Sequence, residues 1–318
     1  MATLAEARPI LKWAGGKRQL LPELRRFYPD RFDRYVEPFV GSGAVFLDLH
    51  NQGRLDGLPV LLADSNRDVI GCYQAVREHT DLVIAALRDL EEGHRRGGAA
   101  HFYEVRDARF NPMRRAVLAP GGPTPYPAAL AAMLIYLNRT GYNGLYRLNA
   151  RGEFNVPVGR YAAPRICDAD NLRQVAAALR RGRLRLQVGP FDRVLSGARR
   201  GDFIYIDPPY APLSATARFT SYTAGGFGRE DQVQLRDLVV DLARRGCQVL
   251  LSNSTAAEIR ELYVDDRGAR AAGLRAHEVP ARRAINARAS GRGPVMEYLI
   301  ANIRPVRRPL SRRHSGKV

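Results

Sequence analysis

The chain has 318 residues, 45% hydrophobic and 26% charged, enough for a sizeable core in one large domain or a large domain with a smaller insert, and unlike a disordered polymer. Fifty basic residues against 32 acidic ones leave a net charge of +18, nearly all of it arginine. That field favours nucleic acid first and an anionic membrane surface second, although arginine-rich coding produces the same bias.

In chain order, the first distinctive stretch is Leu11-Lys12-Trp13-Ala14-Gly15-Gly16-Lys17, where the only tryptophan sits beside two glycines and between two of very few lysines. The pattern then predicts a strand over Arg34 to Val36, a glycine loop Phe39-Val40-Gly41-Ser42-Gly43, a helix from Ala44, and a strand Val60 to Ala63 ending at Asp64-Ser65-Asn66. Between about Gln74 and Arg165 the alternation stops. Helical stretches are expected over Asp81 to Glu92 and Pro127 to Asn138, with Gly93 to Ala100 and Pro120 to Pro127 as loops, and then a polar, aromatic and glycine-rich segment from Arg139 to Tyr161. Alternation resumes with a helix Asp168 to Arg181, strands Leu184 to Val188 and Phe203 to Ile206, a helix Arg229 to Arg244, a strand Gln248 to Leu251, and a terminal pair around Arg275 to Val279 and Val295 to Ile303. The expected class is α/β, a mostly parallel sheet covered by helices and interrupted by an insert.

The three cysteines, Cys72, Cys167 and Cys247, form no CxxC pair, and the six histidines have no ligand spacing, so neither a disulfide framework nor a metal site is expected. No apolar run is long enough to cross a bilayer, and the N-terminus has no leader pattern; a cytoplasmic protein is expected.

Two regions carry chemistry. A glycine loop between strand and helix lets a ligand approach the backbone, and an acidic residue at the next strand end, Asp64, can hold both hydroxyls of a ribose. The loop lacks the full GxGxxG spacing that admits a pyrophosphate, which favours S-adenosylmethionine over NAD. Trp13 either fills a gap in the core or packs on that cofactor, with Lys17 supplying charge near its carboxylate. The second region is Asp207-Pro208-Pro209-Tyr210, at the carboxyl end of a buried strand and so facing the ligand crevice of an open α/β sheet. Its prolines fix the backbone and expose carbonyl oxygens. Asp207 and the Pro208 carbonyl can accept the two protons of an exocyclic amine, and Tyr210 can stack a base taken out of its duplex.

Taken together these residues resemble the Dam-type DNA adenine N6-methyltransferases over nearly the whole chain. The resemblance rests on Leu11 to Lys17, Val36-Glu37-Pro38-Phe39-Val40-Gly41-Ser42-Gly43, Asp64, and the run from Asp207 to Thr220. It implies a Rossmann-like methyltransferase sheet, with residues 1–75 and 166–304 as the catalytic domain. Residues 76–165 would be an inserted, mainly helical target-recognition domain carrying a β-hairpin, and 305–318 a basic flexible tail. Cofactor contacts are implied for Trp13, Lys17, Phe39, Gly41, Gly43, Asp64 and Asp207, and catalytic contacts to the base for Asp207, Pro208 and Tyr210. Phe191-Asp192 stands where the cofactor's adenine would lie, or else Asp192 caps a helix.

The segment Tyr136 to Tyr161 is similar to the hairpin of enzymes that methylate adenine in GATC within double-stranded DNA. By that similarity Leu145, Arg147 and Pro157 would contact bases, accompanied by Tyr142 and Asn143. Asn149, Asn155 and Arg160 would touch phosphates, and Tyr161 would intercalate. The basic stretch from Ala281 to Ala287, followed by Ser290-Gly291-Arg292-Gly293, is a further phosphate-binding candidate. Two rival readings keep parts of this picture: the same chemistry on RNA or a protein amide, and a sequence-specific DNA binder without catalysis. The inserted hairpin opposes the first, and the complete Asp207 to Tyr210 tetrad with Asp64 opposes the second.

Overall fold

The computed structural model describes residues 6–13, 15–121, 125–211, 227–282 and 294–306. Ala14, the part of the Asp207 to Thr220 run beyond Ala211, the basic segment from Arg283 to Gly293, residues 122–124 and the tail from 307 lie outside the described residues.

The order of elements follows the alternation in the sequence. A short helix α1 (Leu21–Leu24) precedes β1 (Arg34–Glu37), α2 (Ala44–Asn51), β2 (Pro59–Asp64) and α3 (Arg67–Glu78). The insert supplies α4 (Thr80–Glu104), α5 (Asn111–Leu118) and α6 (Ala128–Thr140). The chain then continues through α7 (Ala169–Arg180), β3 (Arg183–Val188), α8 (Phe191–Ser196), β4 (Asp202–Ile206), α9 (Arg229–Arg244), β5 (Gln248–Ser254), β6 (Arg275–Arg282) and β7 (Pro294–Ala301). These strands form one sheet in the order β3-β2-β1-β4-β5-β7-β6, parallel from β3 to β5, with β7 antiparallel to both of its neighbours.

The central strand β4 is buried at every position because helices cover both of its faces, which is why it reads as a continuous apolar run. Alternate residues feed two cores. Tyr35, Phe203, Tyr205 and Leu250 point to the side covered by α2, α3 and the insert, whereas Val36, Ile204, Ile206, Val249 and Leu251 point to the side of α8 and α9. At the edge, β3 exposes Arg183 and Val188, and an edge strand bearing a charged side chain is poorly suited to pairing with another chain. Asp202, fully buried at the start of β4, accepts hydrogen bonds from the Arg34 guanidinium at the start of β1.

The insert shares the core of the sheet domain. Helix α6 packs on α3 and α4, and its apolar face from Leu130 to Leu137 joins the same cluster as Tyr35 and Phe203. The expected domain boundary at residue 75 falls inside α3. Gly93 to Ala100, expected as a loop, belongs to the helical span of α4, which is broken only at Gly98 with φ +50°. Helix propensity on either side carries the chain through these glycines, and His101 packs into the space that Gly93 leaves by lacking a Cβ. Among the described residues, no helix is long and apolar enough to cross a membrane, and no group of three or more His, Cys, Asp or Glu residues could hold a metal ion.

Candidate active site and DNA-facing surface

The loop after β1 is shaped by two glycines in the left-handed region, Gly41 at φ +45° and Gly43 at φ +65°, the latter capping α2. Its position is fixed from three sides. Val40 N–H donates to the Ala63 carbonyl at 2.9 Å, Tyr73 Oη donates to the Gly41 carbonyl at 2.9 Å, and Gly41 N–H donates to Asp64 Oδ2 at 3.0 Å. The other Asp64 oxygen takes the Asn66 N–H at 2.9 Å, so this half-buried carboxylate is locked at the end of β2 beside the loop. Burial raises its pKa to about 6 against the pull of those two N–H donors, leaving it mostly ionised at neutral pH.

Trp13 lies across the glycine loop. A Cβ on Gly41 would stand 2.8 Å from its Cδ1, so only glycine admits this approach. The half-buried indole also packs at 5.7 Å on the ring of Tyr146, from the insert. It thus touches both the glycine loop and the segment expected to read DNA. On the other flank, Phe39 stacks on Phe191 at 5.5 Å and meets Phe227 edge-on at 5.8 Å. Phe227, which the sequence reading did not single out, completes this aromatic cluster. Asp192 is no N-cap: Pro190 holds that position, and Asp192 falls in the first turn of α8, because the helix starts one residue earlier at Phe191.

Lys17 lies at the loop from Asp207 to Tyr210, expected to be the reaction loop. Its ammonium is buried, donates to the Gly15 carbonyl, stands 2.8 Å from Asp207 Oδ1 and lies 4.6 Å from the centre of the Tyr210 ring. Burial raises the Asp207 pKa, and Lys17 and Ser252 oppose that rise. Ser252 Oγ donates to Asp207 Oδ1 at 2.9 Å, and Tyr210 Oη donates to Glu297 Oε2 at 2.8 Å. The proline pair is braced from behind. The Pro209 carbonyl takes a hydrogen bond from Gln232 Nε2 at 3.0 Å, and Asn253 Nδ2 donates to Gln232 Oε1 at 3.2 Å. The carbonyl of buried Pro208 has no hydrogen-bond donor among the described residues.

Ser252, Asn253, Gln232 and Glu297 escaped the sequence reading. One signal was available: the apolar run of β5 ends in Ser252-Asn253-Ser254, three polar residues fully or almost fully buried, and buried polar groups need partners. Glu37 is a further buried carboxyl, 2% exposed, on β1. It accepts the Tyr35 hydroxyl at 2.7 Å, and burial together with the nearby charges of Asp207 and Asp64 pushes its pKa up to about 8, against that hydrogen bond.

The segment after α6 folds back on itself through two isolated bridges, Gly141 with Val158 and Leu148 with Phe154, so the expected hairpin is present as pairing without a continuous ladder. Tyr146, Phe154 and Val156 are buried, while Tyr142, Arg147, Pro157, Arg160 and Tyr161 are exposed. Leu145, Asn143, Asn149 and Asn155 are half-buried. Asn143 has φ +53°, the one positive value outside glycine among the described residues, and shapes the turn after α6. Asn149 builds another turn, its Oδ1 accepting the N–H groups of Arg151 and Glu153 at 2.9 Å. Asn155 Oδ1 accepts Arg147 Nε at 2.8 Å, so these two expected DNA contacts hold each other. Lys12 reaches into the segment, with its Nζ 4.0 Å from the Tyr161 ring centre, and Asn138 clasps both the N–H and the carbonyl of Lys12.

The inner side of this surface is anchored on Asp68, at the start of α3. Its buried carboxylate accepts hydrogen bonds from Arg114 Nε at 2.5 Å, from Tyr126 Oη at 2.9 Å and from Tyr146 Oη.

Comparison with known proteins gives this geometry a context. The model of the D12 class N6 adenine-specific DNA methyltransferases matches residues 13–285. The chain is similar to the type II methyltransferase M1.LlaDCHI of Lactococcus lactis subsp. cremoris, 35% identical over 300 residues that cover 93% of this chain and 95% of the relative. The type II methyltransferase M.MjaIII of Methanocaldococcus jannaschii is 36% identical over 310 residues, covering 93% and 99%. The DNA adenine methylase of Escherichia coli K12 is 38% identical over 296 residues, covering 92% and 94%.

Proposed function

This chain belongs to the D12 class N6 adenine-specific DNA methyltransferases, and we propose that its two loops act together on one adenine, turned out of duplex DNA and lying within GATC. The family's reaction moves a methyl group from S-adenosylmethionine to the N6 of adenine. The observation that carries the assignment of residues is the convergence of Lys17 and Ser252 on Asp207 at the carboxyl end of β4, with the same Lys17 ammonium over the Tyr210 ring.

The chain's residues fit the methyl donor. The backbone cradle at Gly41 would be closed by any Cβ, and Asp64 stands beside it as a fixed acceptor suited to ribose hydroxyls. Trp13, Phe39, Gly41, Gly43 and Asp64 would hold S-adenosylmethionine, with Lys17 and Asp207 at the end where the reaction loop lies. When bound, the cofactor supplies an electrophilic methyl group, whose bond to sulfur breaks as its bond to nitrogen forms.

The protein's task is then orientation. The N6 lone pair is delocalised into the ring, and donating its protons to Asp207 and the Pro208 carbonyl favours a nitrogen whose lone pair points out of plane. After attack the nitrogen carries a surplus proton, which Asp207 takes up or passes to water. A carboxylate whose pKa is raised by burial accepts it more readily than an exposed one. Tyr210 presents its ring to the extruded base, with its hydroxyl tied to Glu297 so that the ring keeps one orientation.

On the insert, the exposed Arg147 is suited to a guanine edge, Leu145, Pro157, Tyr142 and Asn143 to neighbouring bases, and Arg160, Asn149 and Asn155 to the backbone. Tyr161, exposed on the same segment, would wedge beside the vacated position. The test is incubation of the purified protein with S-adenosylmethionine and unmethylated DNA, followed by nucleases that distinguish methylated from unmethylated GATC. Methyl transfer at other sites only would remove the GATC assignment and leave the chemistry standing.

A further inference from the structure

We infer that Ser252, backed by Tyr205, is a positioning residue of the methyl transfer: its hydroxyl holds Asp207 by Oδ1 and so reserves Oδ2 for the adenine amine. The inference rests on the reading of Asp207 as the acceptor of N6.

Strand pairing brings the two residues together. Strands β4 and β5 run parallel with Ile206 opposite Leu251, so the next residues along, Asp207 just past the end of β4 and Ser252 still within β5, come side by side at the carboxyl end of β4. Ser252 is fully buried, and a buried hydroxyl without partners is costly. Its Oγ has two partners, Asp207 Oδ1 at 2.9 Å and Tyr205 Oη at 3.1 Å.

The polarity of this chain of bonds is fixed by chemistry. An ionised carboxylate only accepts, so the single serine proton goes to Asp207, and the Tyr205 hydroxyl donates to the serine lone pair left over. Burial holds Tyr205 well above its usual pKa, so the phenol keeps the proton it donates. Lys17 Nζ approaches the same Oδ1 at 2.8 Å, and among the described residues Oδ2 of Asp207 has no hydrogen-bond donor. Two donors on one oxygen stop the carboxylate from rotating and leave the other oxygen's lone pairs unused. Lys17 alone would be a weaker guide, because an ammonium on a flexible stem sets charge more than direction.

The charged and titratable groups around Asp207 are Lys17, Glu37 on β1, Tyr205 on β4, Tyr210 on its own loop and Glu297 on β7. Tyr210 also lies against Ser252 but donates its proton to Glu297. Ser252 is the one neutral donor to Asp207 among the described residues, so its removal raises the Asp207 pKa without changing any formal charge.

The experiment measures kcat, KM and the pH profile of kcat for Ser252→Ala, Ser252→Thr, Tyr205→Phe and Asp207→Ala in the full chain. Ser252→Ala should lower kcat about ten- to hundredfold with both KM values nearly unchanged, the effect of losing one hydrogen bond to a charged group. Its acid limb should move to higher pH. Ser252→Thr keeps the hydroxyl and should restore kcat, and Tyr205→Phe should move kcat and the limb in the same direction by less. Parental kcat and acid limb in Ser252→Ala, alongside an inactive Asp207→Ala, would overturn the inference while sparing the reading of the loop. If Ser252→Ala does not fold, parental behaviour of Tyr205→Phe has the same force. An active Asp207→Ala would instead remove the underlying reading.

Discussion

Lys17 Nζ stands 2.8 Å from Asp207 Oδ1, with the lysine 5% and the aspartate 20% exposed. Removing the lysine leaves a poorly solvated carboxylate without its counter-charge. Lys17→Met should therefore raise the Asp207 pKa, abolish most transfer at neutral pH, and cost stability on the order of 1–3 kcal/mol. Urea unfolding and single-turnover methylation measure the two effects. Unchanged stability and rate would mean that the pair does not form in solution.

Glu37 gives stability a distinct pH dependence. Its folded pKa of about 8 lies above the ordinary carboxyl range, so the folded state binds the extra proton between the two values. The contribution is complete below the ordinary range and is lost as pH climbs through about 8, amounting to on the order of a few kcal/mol. Glu37→Gln keeps an acceptor for Tyr35 and stays neutral, so it should flatten unfolding free energy measured from pH 5 to 9. The same slope in the variant would assign the effect to another group.

Gly41→Ala meets two obstacles, the positive φ and the indole of Trp13 at 2.8 Å from the new Cβ. Calorimetric titration with S-adenosylmethionine should show affinity falling about tenfold or more, with stability lower by about 1–3 kcal/mol. Trp13→Ala in the same background should recover part of the stability, since the obstructing ring is gone.

Arg147 and Asn155 offer a test of how DNA is read. Arg147→Ala should lose discrimination at one base by about 1–3 kcal/mol. Because Asn155 Oδ1 holds the Arg147 guanidinium, Asn155→Ala should loosen discrimination at that same base. A uniform loss of affinity across all sequences would instead make Asn155 a phosphate contact and nothing more. Competition binding on DNA substituted one base pair at a time separates the outcomes.

The sequence disclosed the parts of the site whose chemistry is written in adjacent residues. The glycine loop, Asp64 and the Asp207 to Tyr210 turn each sit within a few residues of a strand end, where short apolar runs stop and where ligands of open α/β sheets bind. The second layer was hidden because it comes from distant strands. Glu297 lies on β7, ninety residues after Asp207, and nothing near it in the chain says that β7 inserts beside β5. Lys17 was noticed as a cofactor contact, but its pairing with Asp207 was not legible, since that distance depends on the whole sheet. The helical path through Gly93 to Ala100 was missed for the opposite reason, a strong local signal overridden by packing in the insert.

The antiparallel placement of β7 has a consequence in time. Among the described residues, β6 pairs only with β7, and β7 fills the position between β5 and β6, so β6 joins this sheet only once the residues around 297 exist. A chain emerging from the ribosome therefore carries Lys17, Asp207 and Tyr210 long before it carries the carboxylate that fixes Tyr210. The last strand in the chain works as a latch, and a half-made chain lacks the hydrogen bond that ties down the Tyr210 ring.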